Sequence, residues 1–330
     1  MNYGQSQAIL TEIKKANRII LNCHRGPDPD SIGSALAMKK VLENMRKEVV
    51  VICPSEKLYE VVSFLKGYNQ IIKAVDFNTF RFSDFDLFIC MDSSSFDMVT
   101  GSMDVGLPDL PCIVVDHHAT NTDFGKINLV DKNASSVGEM MYKIFEDWNL
   151  DLDENVSTSL LTAIIGDTGL LRYPNTTAST FETLYQLIKN GANKDLIVSN
   201  LYRNSDYMLL KFWGETLNNI KINKKYKYVY VVLPYKTYVK YGKPDNAKDS
   251  AVDLFAQTTK GTRFGFMALE TEPGKLSVSF RSRDGFDTSK IAEALGGGGH
   301  VAASGAKIEG MPYKEAIKKL LDVVNEYAKK

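Results

Sequence analysis

The stretch CIVVDHH, Cys112 to His118, runs a short apolar, β-branched segment directly into one aspartate and two adjacent histidines. The apolar part reads as a buried strand. The two histidines do not suit its continuation, because alternation would bury one and expose the other, and a buried imidazole needs partners for both ring nitrogens. The same form recurs at RIILNCH (Arg18 to His24) and LFICMDS (Leu87 to Ser93), apolar runs that end near His24 and Asp92, and EVVVICP (Glu48 to Pro54) is a fourth run of the kind. Helical periodicity separates the first two, in SIGSALAMKKVLENM (Ser31 to Met45). Strand, helix, strand order predicts an α/β fold with a parallel sheet and helices on both faces. In open parallel sheets ligands bind outside the carboxyl ends of the strands, which is where His24, Asp92, Asp116, His117 and His118 fall.

Downstream, SVGEMMYKIFEDW (Ser136 to Trp148), VSTSLLTAIIGDTG (Val156 to Gly169) and a segment from about Ala178 to Asn190 carry helical patterns. Residues 1–190 are therefore expected to form a first domain, and 191–220 a helical connector that lacks the Gly/Ser richness of a flexible linker. Residues 221–330 read as a smaller α/β domain. It contains KYKYVYVVLP (Lys225 to Pro234), a hairpin turning at Pro273-Gly274, and the closing helix YKEAIKKLLDVVNEYAKK (Tyr313 to Lys330). Two domains also suit a chain of 330 residues.

Forty basic side chains balance forty acidic ones, which removes the surplus expected of a protein that grips long duplexes through many phosphates. Cys23, Cys53, Cys90 and Cys112 form no CxxC pair and sit in or beside apolar runs, reading as buried thiols of a reducing compartment. Met1 is followed by polar NYGQSQ, and no run approaches the roughly 20 apolar residues of a membrane span. A cytoplasmic protein is expected.

The loop HRGPDPDSIGS places His24, Asp28 and Asp30 together, an imidazole and two carboxylates of the kind that suit Mn²⁺ or another first-row divalent ion. Pro27 and Pro29 stiffen it and splay the aspartates. Alone, the loop serves equally well as a pair of caps for the helix near Ser31. Asp167, after the apolar run LLTAII and flanked by Gly166 and Gly169, is either a water-exposed loop residue or a metal ligand, and the other clusters favour the ligand. FRSR and GGGGH form a further element. Arg281, Ser282 and Arg283 end a strand, and Gly297, Gly298 and Gly299 lead to His300. Glycine amides approach anions closely and arginine forks bind phosphate in bidentate fashion, so the element reads as a substrate-binding loop.

These motifs, in this order, resemble the DHH superfamily of phosphoesterases, named for the Asp116-His117-His118 triplet, joined to its DHH-associated C-terminal domain with the GGGGH signature. The likeness spans nearly the whole chain and is greatest to the NrnA type of oligoribonuclease and pAp phosphatase. It implies two Mn²⁺ ions, with Mg²⁺ or Co²⁺ as possible substitutes, in an active site in the cleft between the domains. By resemblance His24, Asp28 and Asp92 hold one ion, while Asp30, Asp92, His117 and Asp167 hold the other. Asp116 supports a histidine, His118 faces the substrate phosphate, and Arg281, Ser282, Arg283 and Gly297 to His300 receive the nucleotide end. Pro29 stands where many oligoribonuclease relatives have glycine, which bears on substrate preference.

The resemblance implies hydrolysis of short oligoribonucleotides to mononucleotides, and of pAp to AMP. The alternatives are a cyclic di-AMP or pApA phosphodiesterase and, from another class, a catalytically silent nucleotide sensor. The partners expected are short RNA or small nucleotides, without long duplex nucleic acid or a membrane; a homodimer is a possible assembly.

Overall fold

The computed structural model describes residues 1–329. Chain contacts divide it into two units, Met1–Asn204 and Ser205–Lys330. The first contains α1 (Ser6–Lys15), β1 (Arg18–Asn22), α2 (Pro29–Asn44), β2 (Glu48–Ile52), β3 (Leu87–Met91), α3 (Phe96–Thr100), β4 (Cys112–Asp116), β5 (Ile127–Val130), α4 (Val137–Asp147), α5 (Glu154–Asp167), α6 (Ala178–Lys189) and α7 (Lys194–Tyr202). Its five strands are all parallel, in the order β2-β1-β3-β4-β5. The chain leaves β1 to one side for β2 and returns to its other side with β3. That reversal opens a crevice between the carboxyl ends of β1 and β3, the usual place for a ligand in such a sheet.

Alternation along the strands sorts side chains onto two cores. Ile19, Leu21, Leu87, Ile89, Ile113 and Val115 pack with residues of α1, α2, α4 and α5. Ile20, Phe88, Cys90 and Val114 face the other way, against Val75, Phe77 and Phe82 of a loop and short 3-10 turn and Val99 of α3. Helical segments thus lie on both faces, very unequally. All four cysteines are free and buried.

α2 and α5 approach unusually closely. A Cβ at Gly33 would stand 2.5 Å from the Ser159 carbonyl oxygen, and one at Gly166 would stand 2.5 Å from Cβ of Pro29. Only hydrogen fits at either position. Pro29 is the first residue of α2, preorganised there by its fixed φ, and Gly166 immediately precedes Asp167. The contact therefore brings the Asp28/Asp30 loop against the end of α5.

The second unit contains α8 (Tyr207–Asn218), β6 (Lys221–Asn223), β7 (Tyr228–Leu233), α9 (Tyr235–Lys240), α10 (Ala247–Phe255), β8 (Phe264–Glu272), β9 (Lys275–Ser282), α11 (Ser289–Ala294), β10 (Gly298–Gly299), β11 (Ala303–Glu309) and α12 (Tyr313–Ala328). Its sheet is mixed, ordered β10-β11-β9-β8-β7-β6, with only β7 and β8 parallel. One face packs α11 and α12 against Phe264, Phe266, Val278 and Phe280; the other packs α8 and α10 against Val229, Val231 and Met267. The hairpin turns at Pro273-Gly274, with Gly274 at φ 78°. Lys330, the end of the expected closing helix, lies outside the described residues. Of residues 191–220, α7 places Ile197 in the core of the first unit, while α8 places Phe212 in a core of the second.

Gly33→Ala is expected to lower unfolding stability by about 1–3 kcal/mol, because the new methyl meets backbone rather than a movable side chain. Urea unfolding checks it, and an unchanged midpoint would show that the two helices separate freely.

Candidate metal and active site

The site begins where β1 ends. The His24 amide donates to Ser31 Oγ at 3.1 Å, and the Ser31 amide donates to Asp28 Oδ1 at 3.0 Å, so one serine fixes both His24 and Asp28. Asp28 also caps α2. The capping reading of this loop is observed, and the aspartate that starts the helix also stands 3.8 Å from His24 Nε2.

Asp30 points the opposite way. It accepts from the Val137 and Gly138 amides at 2.7 and 2.9 Å, at the amino end of α4, and from Ser34 Oγ at 3.1 Å. A helix amino terminus is a favourable place for a carboxylate. Asp92 follows β3 in a left-handed conformation, φ 54°, while its amide still donates to Val115 O at 3.0 Å. This turn re-aims the side chain at the strand end. Asp92 Oδ2 lies 3.3 Å from His24 Nε2, whereas Oδ1 lies 3.6 Å from His117 Nε2 and 3.7 Å from His118 Nδ1. Asp167, the last residue of α5, stands 3.7 Å from His117 Nε2.

His24 and His117 are held the same way. His24 Nδ1 meets Arg25 O at 3.0 Å, and His117 Nδ1 meets Ala134 O at 3.3 Å. A carbonyl only accepts, so each Nδ1 carries the hydrogen and each Nε2 is left facing the carboxylates, as in metal-ligating imidazoles. His118 differs. Its Nδ1 is taken by Asp116 Oδ1 at 2.7 Å, and Asp116 Oδ2 is in turn held by Asn121 Nδ2 at 2.6 Å.

Among the described residues, no lysine or arginine pairs with Asp28, Asp30, Asp92 or Asp167; histidines are the only basic side chains against them. Burial, reinforced by the charges of Asp92, Asp167 and Asp28, pushes the Asp30 carboxyl well above its usual range. Burial likewise pushes Asp167 up to about 7, with Asp92 and Asp28 adding to it and His117 opposing. His24 is raised despite burial, because Asp28 and Asp92 attract its proton. His118 is raised to about 9, chiefly by its bond to Asp116. Such a set of donors is satisfied by cations. Potential ligand atoms fall into three groups, His24-Asp28-Asp92, Asp30-His117-Asp167 and Asp92-His117-His118, each within 4.8 Å. Ligands about 2.1 Å from one ion stand roughly 3.0–3.4 Å apart, slightly closer than most separations here. The residues fit divalent metal, and Asp92 alone offers one oxygen to each side.

In the second unit a cavity of about 560 Å³ is lined by Arg281, Gly296 to Gly299, Lys248, Asp249 and Ser279, with β11 behind the glycines. Arg281 Nε donates to Asp253 at 2.7 Å. Lys248 and Asp249 both contact the Ser279 hydroxyl. The other residues of this element lie elsewhere. Ser282 is buried with its hydroxyl unpartnered, Arg283 donates to the carbonyls of Gln257 and Thr262, and His300 is exposed after the glycines.

Sequence reasoning missed Asn121, which holds Asp116, and Asn175, whose amide reaches Ser135 O at 2.9 Å and Asp167 Oδ2 at 3.4 Å. It also missed Ser31. Asparagine and serine in loops are too common to signal such roles.

Family models describe residues 18–166 as a DHH family N-terminal domain and residues 223–330 as a DHHA1 domain. The chain belongs to the DHH family. It is a metal-dependent phosphoesterase of that family, hence a hydrolase. The bifunctional oligoribonuclease and PAP phosphatase NrnA of Thermus thermophilus is 26% identical over 327 residues, covering 98% of this chain and 95% of that protein. NrnA of Bacillus subtilis is 26% identical over 307 residues, covering 91% and 92%. Cyclic-di-AMP phosphodiesterase GdpP of Bacillus subtilis is 24% identical over 347 residues, covering 98% of this chain but 50% of that protein. An exopolyphosphatase-related protein from Bacteroides fragilis has the same fold, with a TM-score of 0.89 at 23% identity over 98% of this chain and 96% of that one. No helix of the described residues is long and apolar enough to cross a membrane.

Without metal, the folded chain keeps protons on Asp167 up to about 7 and on His118 up to about 9, against ordinary values of 3.8 and 6.5. Above about pH 5.5, where carboxylates held low such as Glu139 are ionised in both states, the folded state binds more protons than the unfolded one up to pH ~9, so stability falls as pH rises through that window. EDTA-treated protein should therefore melt at a lower temperature at pH 8.5 than at pH 5.5, and Mn²⁺ should raise the melting temperature more at pH 8.5. A metal-free melting temperature that climbs with pH would contradict this electrostatic picture.

Proposed function

We propose that this chain uses two Mn²⁺ ions to hydrolyse short oligoribonucleotides to mononucleotides, and pAp to AMP. The observation that carries the reading is Asp92, whose two oxygens face separate imidazole-carboxylate groups. Two relatives named for these activities match it over nearly their whole lengths. In this reading His24, Asp28 and Asp92 Oδ2 hold one ion, and Asp30, His117, Asp167 and Asp92 Oδ1 hold the other. Two divalent cations there would bring the pKa of a shared water toward neutrality and offset charge on phosphorus. Mg²⁺ and Co²⁺ are the substitutes to compare.

The other residues take separate roles. His118, protonated up to about 9 and oriented by Asp116, donates from Nε2 to a phosphate oxygen as its charge grows. Asn121 holds that pair. Arg281, with the loop Gly297 to Gly299 beside it, takes the nucleotide end of the substrate. The balanced charge suits short substrates, and four buried free thiols suit the cytoplasm.

A second reading, cyclic di-AMP or pApA hydrolysis, draws support from the GdpP relative. A silent sensor is disfavoured because it would be free to lose Asp167 or a histidine, and the set here is complete.

The deciding experiment offers a labelled RNA five-mer, pApA, pAp, cyclic di-AMP and pyrophosphate side by side with Mn²⁺ and EDTA controls. Rapid, EDTA-sensitive loss of the RNA, pApA and pAp is expected; preference for cyclic di-AMP would overturn the proposal in favour of second-messenger turnover. Asp92→Ala should reduce turnover by about 10³-fold or more, and substantial residual activity would sink the two-metal assignment. Asn121→Ala should cost about 10–100-fold in kcat with the fold retained, and normal kcat would remove Asn121 from the positioning of His118.

A further inference from the structure

A second polar cavity lies on the first unit, built by the same two helices whose opposite ends carry Asp28, Asp30 and Asp167. It encloses about 130 Å³ between Lys39, Lys40 and Glu43 of α2, Lys66 and Gln70 of the loop after β2, and Asn155 and Ser159 of α5. Three lysines face one glutamate. Lys39, largely buried, is tied to Glu43. Lys40 and Lys66 form no ion pair among the described residues, so the cavity keeps two uncompensated positive charges. Ser159 is 4% exposed and lines the space, yet its hydroxyl makes no hydrogen bond within the described residues. Its oxygen is not sealed in protein, so it opens onto the cavity. The side-chain amides of Gln70 and Asn155 are likewise unbonded there.

We propose that this cavity is an oxyanion site, separate from the hydrolytic centre, that binds inorganic phosphate or the phosphate end of a phosphomonoester. Its volume is well below the roughly 300–1,000 Å³ of pockets that enclose drug-sized ligands. A space of this size suits one tetrahedral oxyanion, with the rest of a larger ligand left outside its open side. Lys40 and the exposed Lys66 supply the charge, the buried Ser159 supplies a hydroxyl, and the exposed Asn155 and Gln70 supply amides at the rim. An ion held there ties α2 to α5 and to the loop between them. Those are the helices whose close contact sets the distance between the Asp28/Asp30 loop and Asp167, so occupancy stabilises the folded first unit by mass action. None of this depends on which ester the enzyme cleaves.

The test is calorimetric titration of inorganic phosphate into the full-length, EDTA-treated protein at constant ionic strength, with chloride as the control anion. Saturable binding is expected, weakened at least tenfold in the double variant K40Q/K66Q and several-fold in Ser159→Ala, and unchanged in Arg281→Gln. Phosphate should also raise the melting temperature of the parent chain and not that of K40Q/K66Q. AMP in place of phosphate separates the sources. Binding of AMP with the same variant dependence, but none of free phosphate, makes a nucleotide's phosphate the occupant. Absence of saturable binding of either, or binding that K40Q/K66Q and Ser159→Ala leave untouched, overturns the site.

Discussion

Four carboxylates converge on three imidazoles at the carboxyl ends of β1, β3 and β4, with no lysine or arginine among the described residues pairing with them, and the rest of the first unit is arranged around that constraint. Like charges at this separation cannot all remain ionised without a compensating cation. Asp30 and Asp167 accordingly hold protons more tightly than ordinary carboxylates, while His24 and His118 are drawn toward their charged forms. These shifts describe a site that costs the fold stability when empty of cations. A metal that replaces the protons returns that free energy, so metal affinity and folding are linked here.

The scaffold meets the cost with rigid attachment. Asp30 is anchored by two amides of α4, Asp28 by the first turn of α2, and His24 and His117 by backbone carbonyls. Glu139 binds Ser135, Ser179, Thr180 and Lys143, and these bonds, with burial opposing them, hold its carboxyl down at about 2. It is buried as deeply as Asp30, yet its environment does the reverse, because Lys143 places a cation beside it where Asp30 faces the charges of Asp92, Asp167 and Asp28. That network joins the start of α4 to the start of α6, and so fixes the helix end on which Asp30 rests.

Much of this was legible in the sequence because strand ends are punctuated by chemistry. Apolar β-branched runs stopping at His24, Asp92 and Asp116 located both the sheet and the site, since period-two burial cannot accommodate such residues further along. Less visible was anything that depends on where a neighbouring element lies. Arg281 and Ser282 are adjacent in sequence, yet alternation in β9 sends Arg281 toward α10 and buries Ser282 on the other face. Asn121 and Asn175 become meaningful only once Asp116 and Asp167 are placed beside them. The near absence of long helices on the face of Phe88 was equally hidden, because a loop with three buried aromatic or aliphatic side chains has no period to read.

The glycine run shows how a correct residue type can have a cause other than a ligand. A Cβ at Gly297 would lie 2.1 Å from the Gly305 carbonyl oxygen, and one at Gly299, where φ is 138°, would lie 2.6 Å from Ser304. Both positions are glycine because the loop presses on β11, irrespective of any ligand. Gly298 has open space around its α-carbon, so packing gives no reason for glycine there. The close approach to β11 fixes Gly298 along the wall of the cavity, paired with Gly305. Packing against β11 thus accounts for Gly297 and Gly299 and leaves Gly298 as a position it does not account for.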